Sequence, residues 1–197
     1  MIKNIIDSTR EFVLELLQDE LPTAMCFHNI QHTQEVVQAS IEIAEQCHFS
    51  PKQLEIVTLA AWFHDCGYTK AFLNHEASSI YIAGDFLCIQ RYPEADAARV
   101  LACIEATRFP QHAESPEEKV LADADLYHFS RKNYLIYAER LRQEFAIFLD
   151  KNFTDQEWAS INYEVLEKHR YYTSYGQEVL QKRKEDNLHL LKTICCA

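Results

Sequence analysis

The sequence predicts an all-α fold, a single bundle of about eight or nine helices. Three observations carry this. Apolar residues recur at three- and four-residue spacing in nearly every stretch. Only 3 glycines and 5 prolines occur in 197 residues, which leaves little material for tight β-turns. The prolines fall between the periodic stretches or in their first turns. A hydrophobic content of 48% over this length is enough to bury one sizeable core.

Each element has its own signal. The first helix spans about Asn4 to Glu20, with Ile5, Ile6, Phe12, Val13, Leu16 and Leu17 at helical spacing and Pro22 as its stop. After a loop from Pro22 to Phe27, the second covers about Asn29 to Cys47, burying Val36, Val37, Ile41 and Ile43. Ser50-Pro51 is a cap followed by a first-turn proline, so the third runs from Pro51 to about Asp65, with Gly67 at its exit. The fourth takes about His75 to Arg91 and is broken by Pro93; the fifth takes Glu94 to about Thr107, before Pro110. Ser115-Pro116-Glu117-Glu118 opens the sixth. The seventh and eighth span roughly Arg131 to Lys151 and Asp155 to Arg170, the latter capped by Thr154, and a last helix covers about Tyr175 to Thr193. With no repeat, linker or low-complexity stretch, residues 1–197 are expected to form one domain.

Composition narrows the partners. A formal charge of −11 argues against duplex nucleic acid and against an anionic membrane surface, since both require a basic face. A small phosphorylated ligand stays compatible, because a metal and one or two arginines can hold it locally. The seven cysteines (Cys26, Cys47, Cys66, Cys88, Cys103, Cys195 and Cys196) show no CxxC spacing. Together with a start, Met1-Ile2-Lys3-Asn4, that lacks a secretory apolar run, they are expected to be reduced thiols of a cytoplasmic protein, the last two in a frayed tail. No stretch approaches the ~20 apolar residues of a membrane span.

Chemistry-bearing residues concentrate in three places. Ala60-Ala61-Trp62-Phe63-His64-Asp65-Cys66-Gly67-Tyr68 ends an apolar helix with adjacent imidazole and carboxylate groups. His28-Asn29-Ile30-Gln31-His32 lies upstream, and Ala122-Asp123-Ala124-Asp125-Leu126 downstream. His28 and His32 share a face if both lie on the second helix. Asp123 and Asp125, two apart, cannot share one, so only one of them is expected to reach a common point. Two or three histidines with two or three carboxylates and no thiolate suit a divalent ion with open positions: Mn, Mg, Fe, Co or Ni, with Zn also compatible. Trp62 and Phe63 are expected to be core, and Tyr171, Tyr172 and Tyr175 to be packing residues.

The order His32, His64-Asp65, Asp125 resembles the HD-domain superfamily of metal-dependent phosphohydrolases. Phe27-His28-Asn29-Ile30-Gln31-His32-Thr33 is similar to the histidine motif of its compact predicted phosphohydrolases and of cyclic-nucleotide phosphodiesterases. Asn74-His75-Glu76-Ala77-Ser78-Ser79 resembles the Glu-x-x-Ser segment of that compact group. Ala106-Thr107-Arg108-Phe109-Pro110-Gln111 and Ala122-Asp123-Ala124-Asp125-Leu126 continue it. The resemblance covers most of residues 25–130, leaving helices 131–195 to pack on that core. His169-Arg170-Tyr171-Tyr172-Thr173 resembles a tail segment of some members.

This resemblance implies metal ligation by His32, His64, Asp65 and one of Asp123 and Asp125, with Asp125 preferred because Leu126 follows it. It implies a catalytic water oriented by Asp65, and His28 as the acid that protonates the leaving oxygen. Beside the resemblance, Lys70 and Arg108 are read as side chains able to hold a phosphate and Glu76 as a water-binding carboxylate, the three expected substrate-binding groups. One tight ion is expected, with a weaker second left open; His75 and His112 are the spare histidines, expected to be loop residues. The implied activity is hydrolysis of a phosphomonoester, phosphodiester or phosphoanhydride bond in a small molecule, expected to be a nucleotide, by a protein that could form a homodimer. The alternatives are a di-iron oxygenase of the same superfamily, which needs more histidines, and a non-catalytic nucleotide- or partner-binding module.

Overall fold

An unbroken buried run, residues 56–68, forms the centre of the molecule, and the other helices are arranged around it. The computed structural model describes residues 4–195. Its helices are α1 (Ile5–Glu20), α2 (Ile30–Gln46), α3 (Pro51–Phe63), α4 (His75–Ile89), α5 (Glu94–Glu105), α6 (Pro116–Asp125), α7 (Tyr134–Leu149), α8 (Asp155–Lys168) and α9 (Gln181–Cys195). Short 3-10 turns follow α3 (Cys66–Thr69) and α6 (Leu126–Ser130), and a π turn (Gly176–Leu180) leads into α9.

The sequence cues account for these elements. Ser50 and Gln53 form a reciprocal capping box at α3, Ser115 and Glu118 at α6, and Thr154 and Glu157 at α8. From Ile56 to Phe63 every residue of α3 is buried, so this part of the helix is enclosed on all sides. Helices α1, α2, α5 and α6 pack directly on it. Val13, Val37, Ile43, Ile56, Phe63, Leu87, Ile104 and Leu121 meet in the main core, which Tyr171 and Leu180 enter from the C-terminal region. A second cluster, with Leu126, Phe129, Tyr134, Ala138, Leu166 and Leu191, ties α7, α8 and α9 to the turn after α6.

Several boundaries differ from expectation. Helix α2 starts at Ile30, so His28 precedes the Asn29 cap and does not share a helical face with His32. Helix α3 stops at Phe63, which leaves His64 and Asp65 at the corner before a 3-10 turn. Gly67 is required there by close approach and not by a helix exit: a Cβ would meet the backbone oxygen of His75 at 1.8 Å. Its N–H donates to Ser79 Oγ at 2.8 Å, which fixes the corner to the first turns of α4. Helix α7 begins three residues later than expected, at Tyr134.

No helix among the described residues is long and apolar enough to cross a membrane. The described cysteines are all free thiols. Cys195 is the last residue of α9, and Cys196 and Met1 to Lys3 lie outside the described residues.

Candidate metal centre

Three helix ends converge on one point. The Asn29 side chain caps α2 by accepting the N–H groups of Gln31 and His32, which places His32 in the first turn, facing inward. His64 and Asp65 lie at the end of α3, and Asp125 is the last residue of α6. His32 Nε2 is 3.4 Å from Asp65 Oδ2 and 3.5 Å from Asp125 Oδ1; His64 Nε2 is 3.2 Å and 3.8 Å from the same two atoms. His32, His64 and Asp125 each offer a ligand atom within 4.8 Å of the others.

The chemistry of this point fits a cation. Nε2 of His32, Nε2 of His64 and Oδ2 of Asp65 are buried polar atoms with no hydrogen-bond partner among the described residues. Such atoms are rare unless something else satisfies them. His64 Nδ1 faces the Ala61 carbonyl at 2.8 Å. A carbonyl only accepts, so Nδ1 carries a proton and Nε2 faces the common point, where an ion would take the place of its proton. Burial works against a charge on His64, yet Asp65 and Asp125 outweigh it and carry its pKa to about 9. Burial likewise opposes ionisation of Asp65 and Asp125, and the surrounding histidines hold both below the usual carboxylate range. A field that stabilises an extra proton so strongly also attracts a divalent ion.

A second set of groups flanks the point. His28 Nδ1 is 2.6 Å from Oε2 of Glu144, which comes from the middle of α7 and is 0% exposed. Glu144 Oε1 accepts the N–H groups of Phe27 and His28 at 2.7 and 3.0 Å. The Tyr68 hydroxyl lies 3.2 Å from His28 Nε2. The Tyr68 ring stacks between His28 and His75, with centroids 4.3 and 3.8 Å away. His75 is therefore not a free loop histidine: it opens α4 and directs Nε2 to Asp65 Oδ1 at 3.4 Å. His112 lies apart, in a shallow surface depression with Arg108 and Glu105.

Beside the centre opens a cavity of about 340 Å³. His28, Asp65, His75, Glu76 and Asp125 form its polar wall; Phe27, Phe109 and side chains from α7, α8 and the turn after α6, many of them aromatic, form most of the rest. Glu76 is buried in the first turn of α4, and Arg108 reaches its Oε2 at 3.3 Å while also bonding Glu105 at 2.9 Å. Lys70 is not brought to the cavity. It is 52% exposed and pairs with Glu20 of α1 at 2.5 Å.

The two aspartates of α6 point to different tasks. Asp125 Oδ1 faces the histidines, and its Oδ2 accepts from Gln111 Nε2 at 3.0 Å. Asp123 is fully occupied elsewhere: Oδ1 accepts the Tyr172 N–H at 2.7 Å, and Oδ2 accepts the Thr173 N–H and hydroxyl at 2.9 and 2.7 Å. Burial raises its pKa to about 6 against those hydrogen bonds. The close approach also requires Gly176, where a Cβ would lie 2.4 Å from Asp123 Oδ2. Residues 171–173 thus serve to anchor the C-terminal region on α6.

Glu144 and His128 escaped the sequence reading, though each left a trace. Tyr134, Tyr137, Ala138, Leu141, Phe145 and Phe148 form the apolar stripe of α7, and Glu144 falls on it, where a carboxylate without a partner would be costly. His128 follows the second aspartate by three residues; its Nδ1 donates to the Asp125 carbonyl at 3.1 Å, and burial holds it neutral with a pKa of about 3.

The HD domain family model matches residues 29–130, just over half the chain. No curated protein matches. Among solved structures, Bacillus subtilis YpgQ in complex with ADP is similar over 96% of this chain and 95% of its own, at 19% identity and a TM-score of 0.66. A protein described as a predicted HD superfamily hydrolase from an uncultured Thermotogales bacterium is similar over 96% and 91%, at 18% identity and a TM-score of 0.65. A Lactobacillus plantarum protein is similar over 100% and 98%, at 15% identity and a TM-score of 0.69. At these identities the likeness is one of fold.

Proposed function

This chain belongs to the HD-domain family, and on that premise we propose that it is a metal-dependent phosphohydrolase acting on a phosphate ester or anhydride bond of a small molecule. One observation carries the reading. Two imidazole nitrogens and a carboxylate oxygen, all buried and without hydrogen-bond partners among the described residues, meet beside a ligand-sized cavity whose wall includes Asp65 and Asp125. Nucleotides are the first substrate class to test, since YpgQ, which shares the fold, was solved with ADP.

His32, His64, Asp65 and Asp125 would hold the ion. When bound, a divalent ion supplies positive charge to a phosphoryl oxygen and acidifies a water molecule. Asp65 sits between both imidazoles and His75, so its carboxylate would help hold the ion and orient that water. His28 faces the cavity through Nε2 and donates a proton to the leaving oxygen, while Glu144 holds Nδ1. Arg108 supports Glu76 at the rim and offsets charge there.

The test is metal analysis of the purified protein, followed by a hydrolysis screen with Mn, Mg, Co and Ni against aryl phosphates and a nucleotide panel. We expect about one equivalent of a divalent ion and metal-dependent release of phosphate. Added metal at a hundred times its Kd should stabilise the fold by about 2.7 kcal/mol, and His64→Ala should abolish that gain. Full phosphatase activity in folded His64→Ala and Asp65→Ala proteins would overturn the reading.

A further inference from the structure

We infer that the cavity beside the metal centre takes an aromatic group of the substrate, held by ring faces and bulk, and that it does not read the hydrogen-bonding edge of a base. This rests on the phosphohydrolase reading for the position of the phosphate, but the ring site is argued from its own walls.

Beyond Phe27, whose ring packs on His32 at 4.8 Å, the cavity is closed by Phe129, Tyr134, Tyr137, Phe145 and Trp158. The polar atoms of this wall are already engaged within the protein. The Tyr134 hydroxyl donates to Asn162 Oδ1, and Asn162 Nδ2 donates to the Trp158 carbonyl at 2.7 Å. Trp158 Nε1–H donates to the Ala138 carbonyl at 3.1 Å. The Tyr137 hydroxyl donates to Glu35 Oε2 at 3.0 Å, and the Thr107 hydroxyl to the Ile104 carbonyl at 2.8 Å. What these residues leave for a ligand is carbon surface. His128 is the exception, since its Nε2 has no protein partner among the described residues.

Two consequences follow. A polar base edge or a sugar buried at this end would lose water and find almost no replacement, which is unfavourable. A planar ring would gain stacking and dispersion from several aromatic faces at once. No lysine or arginine is among the described residues of the cavity wall, so a second charged group at this end has no counter-charge either. The volume, about 340 Å³, lies at the small end for ligand pockets and admits one ring system with its linking atoms.

Phe109 and Ile161 stand at the rim, 64% and 36% exposed, and can be changed without opening the core. The experiment compares 2-naphthylmethyl phosphate with propyl phosphate on the metal-loaded protein. Both leaving groups are primary alcohols, and the uncatalysed hydrolysis of each ester, measured beside the enzymatic rate, corrects for the more reactive arylmethyl group. We expect kcat/KM to favour the ring substrate by about tenfold or more, in keeping with stacking on aromatic side chains. In Phe109→Ala and Ile161→Asp proteins that ratio should fall toward one, through a higher KM. AMP, GMP, CMP and UMP should agree within about fivefold. A ratio near one in the unaltered protein, or a spread above about twentyfold across the four bases, overturns the inference. Binding of 2-naphthylmethanol, followed by isothermal titration calorimetry, gives a readout without turnover. If no phosphate ester is hydrolysed but the alcohol binds saturably and Ile161→Asp abolishes it, the phosphohydrolase reading fails and the ring site stands. If the alcohol does not bind, the ring site itself is wrong.

Discussion

His28 Nδ1 lies 2.6 Å from Oε2 of Glu144, across 116 positions of sequence. The same carboxylate accepts the backbone N–H groups of Phe27 and His28, so one side chain of α7 sets both the ring and the strand of chain that carries it. A carboxylate oxygen at Nδ1 accepts its N–H and turns Nε2 toward the substrate. Glu144→Gln retains the shape but offers an N–H to Nδ1, which inverts the tautomer. We expect kcat to fall about a hundredfold with metal content unchanged, measured by steady-state kinetics beside metal analysis. An unchanged kcat would remove His28 and Glu144 from the chemistry.

Asp123 is expected to matter for stability and not for the metal. Asp123→Ala leaves the Tyr172 N–H, the Thr173 N–H and the Thr173 hydroxyl without their acceptor in a buried site. The cost should be about 3 kcal/mol or more, read by urea unfolding. Metal bound per folded molecule should stay the same; loss of metal at full stability would reverse the assignment of the two aspartates.

His169 gives a pH dependence with a definite sign. Burial, and then the Lys184 ammonium group 3.2 Å from Nδ1, lower its pKa from 6.5 to about 3. The unfolded chain therefore takes up the proton first. The contribution of this group is complete above about pH 6.5 and is lost as pH falls toward 3. Between pH 6.5 and 5 the loss should be about 1 to 2 kcal/mol, at up to about 1.4 kcal/mol per pH unit. Unfolding midpoints of the unaltered and His169→Gln proteins at several pH values test this; superimposable pH dependences would contradict it.

Lys70 and Arg108 are expected to separate. Lys70→Ala breaks an exposed pair with Glu20 and should change kcat/KM by less than about twofold, with stability altered by under about 1 kcal/mol. Arg108→Ala frees Glu76 on the cavity wall and should raise KM several-fold. A large loss of activity from Lys70→Ala would require a closed arrangement in which Lys70 leaves Glu20.

The helices were legible because their signals are local. A capping box such as Ser115 with Glu118, a proline at the first turn and a stripe at 3.6 spacing each lie within a few residues, and short-range hydrogen bonds decide them. The residues of the centre were legible for a related reason. Helix ends carry them, and a histidine or carboxylate at the end of an apolar run stands out against its neighbours. His28 shows where local reasoning stops: the Asn29 cap removes it from the helical face it was expected to share with His32, and only Glu144 fixes its ring.

By itself the sequence determined an all-α chain, the order of its elements and the set of imidazoles and carboxylates available to an ion. Tertiary structure alone decided how they are shared out: Asp125 to the histidines, Asp123 to the Tyr172–Thr173 turn, His75 to Asp65, and Lys70 to the surface. The physical reason is range. Caps and periodicity act within one or two turns, whereas a buried carboxylate takes its partners from whatever packing brings within about 3 Å, and for Asp123 and Glu144 those partners lie 49 and 116 positions away.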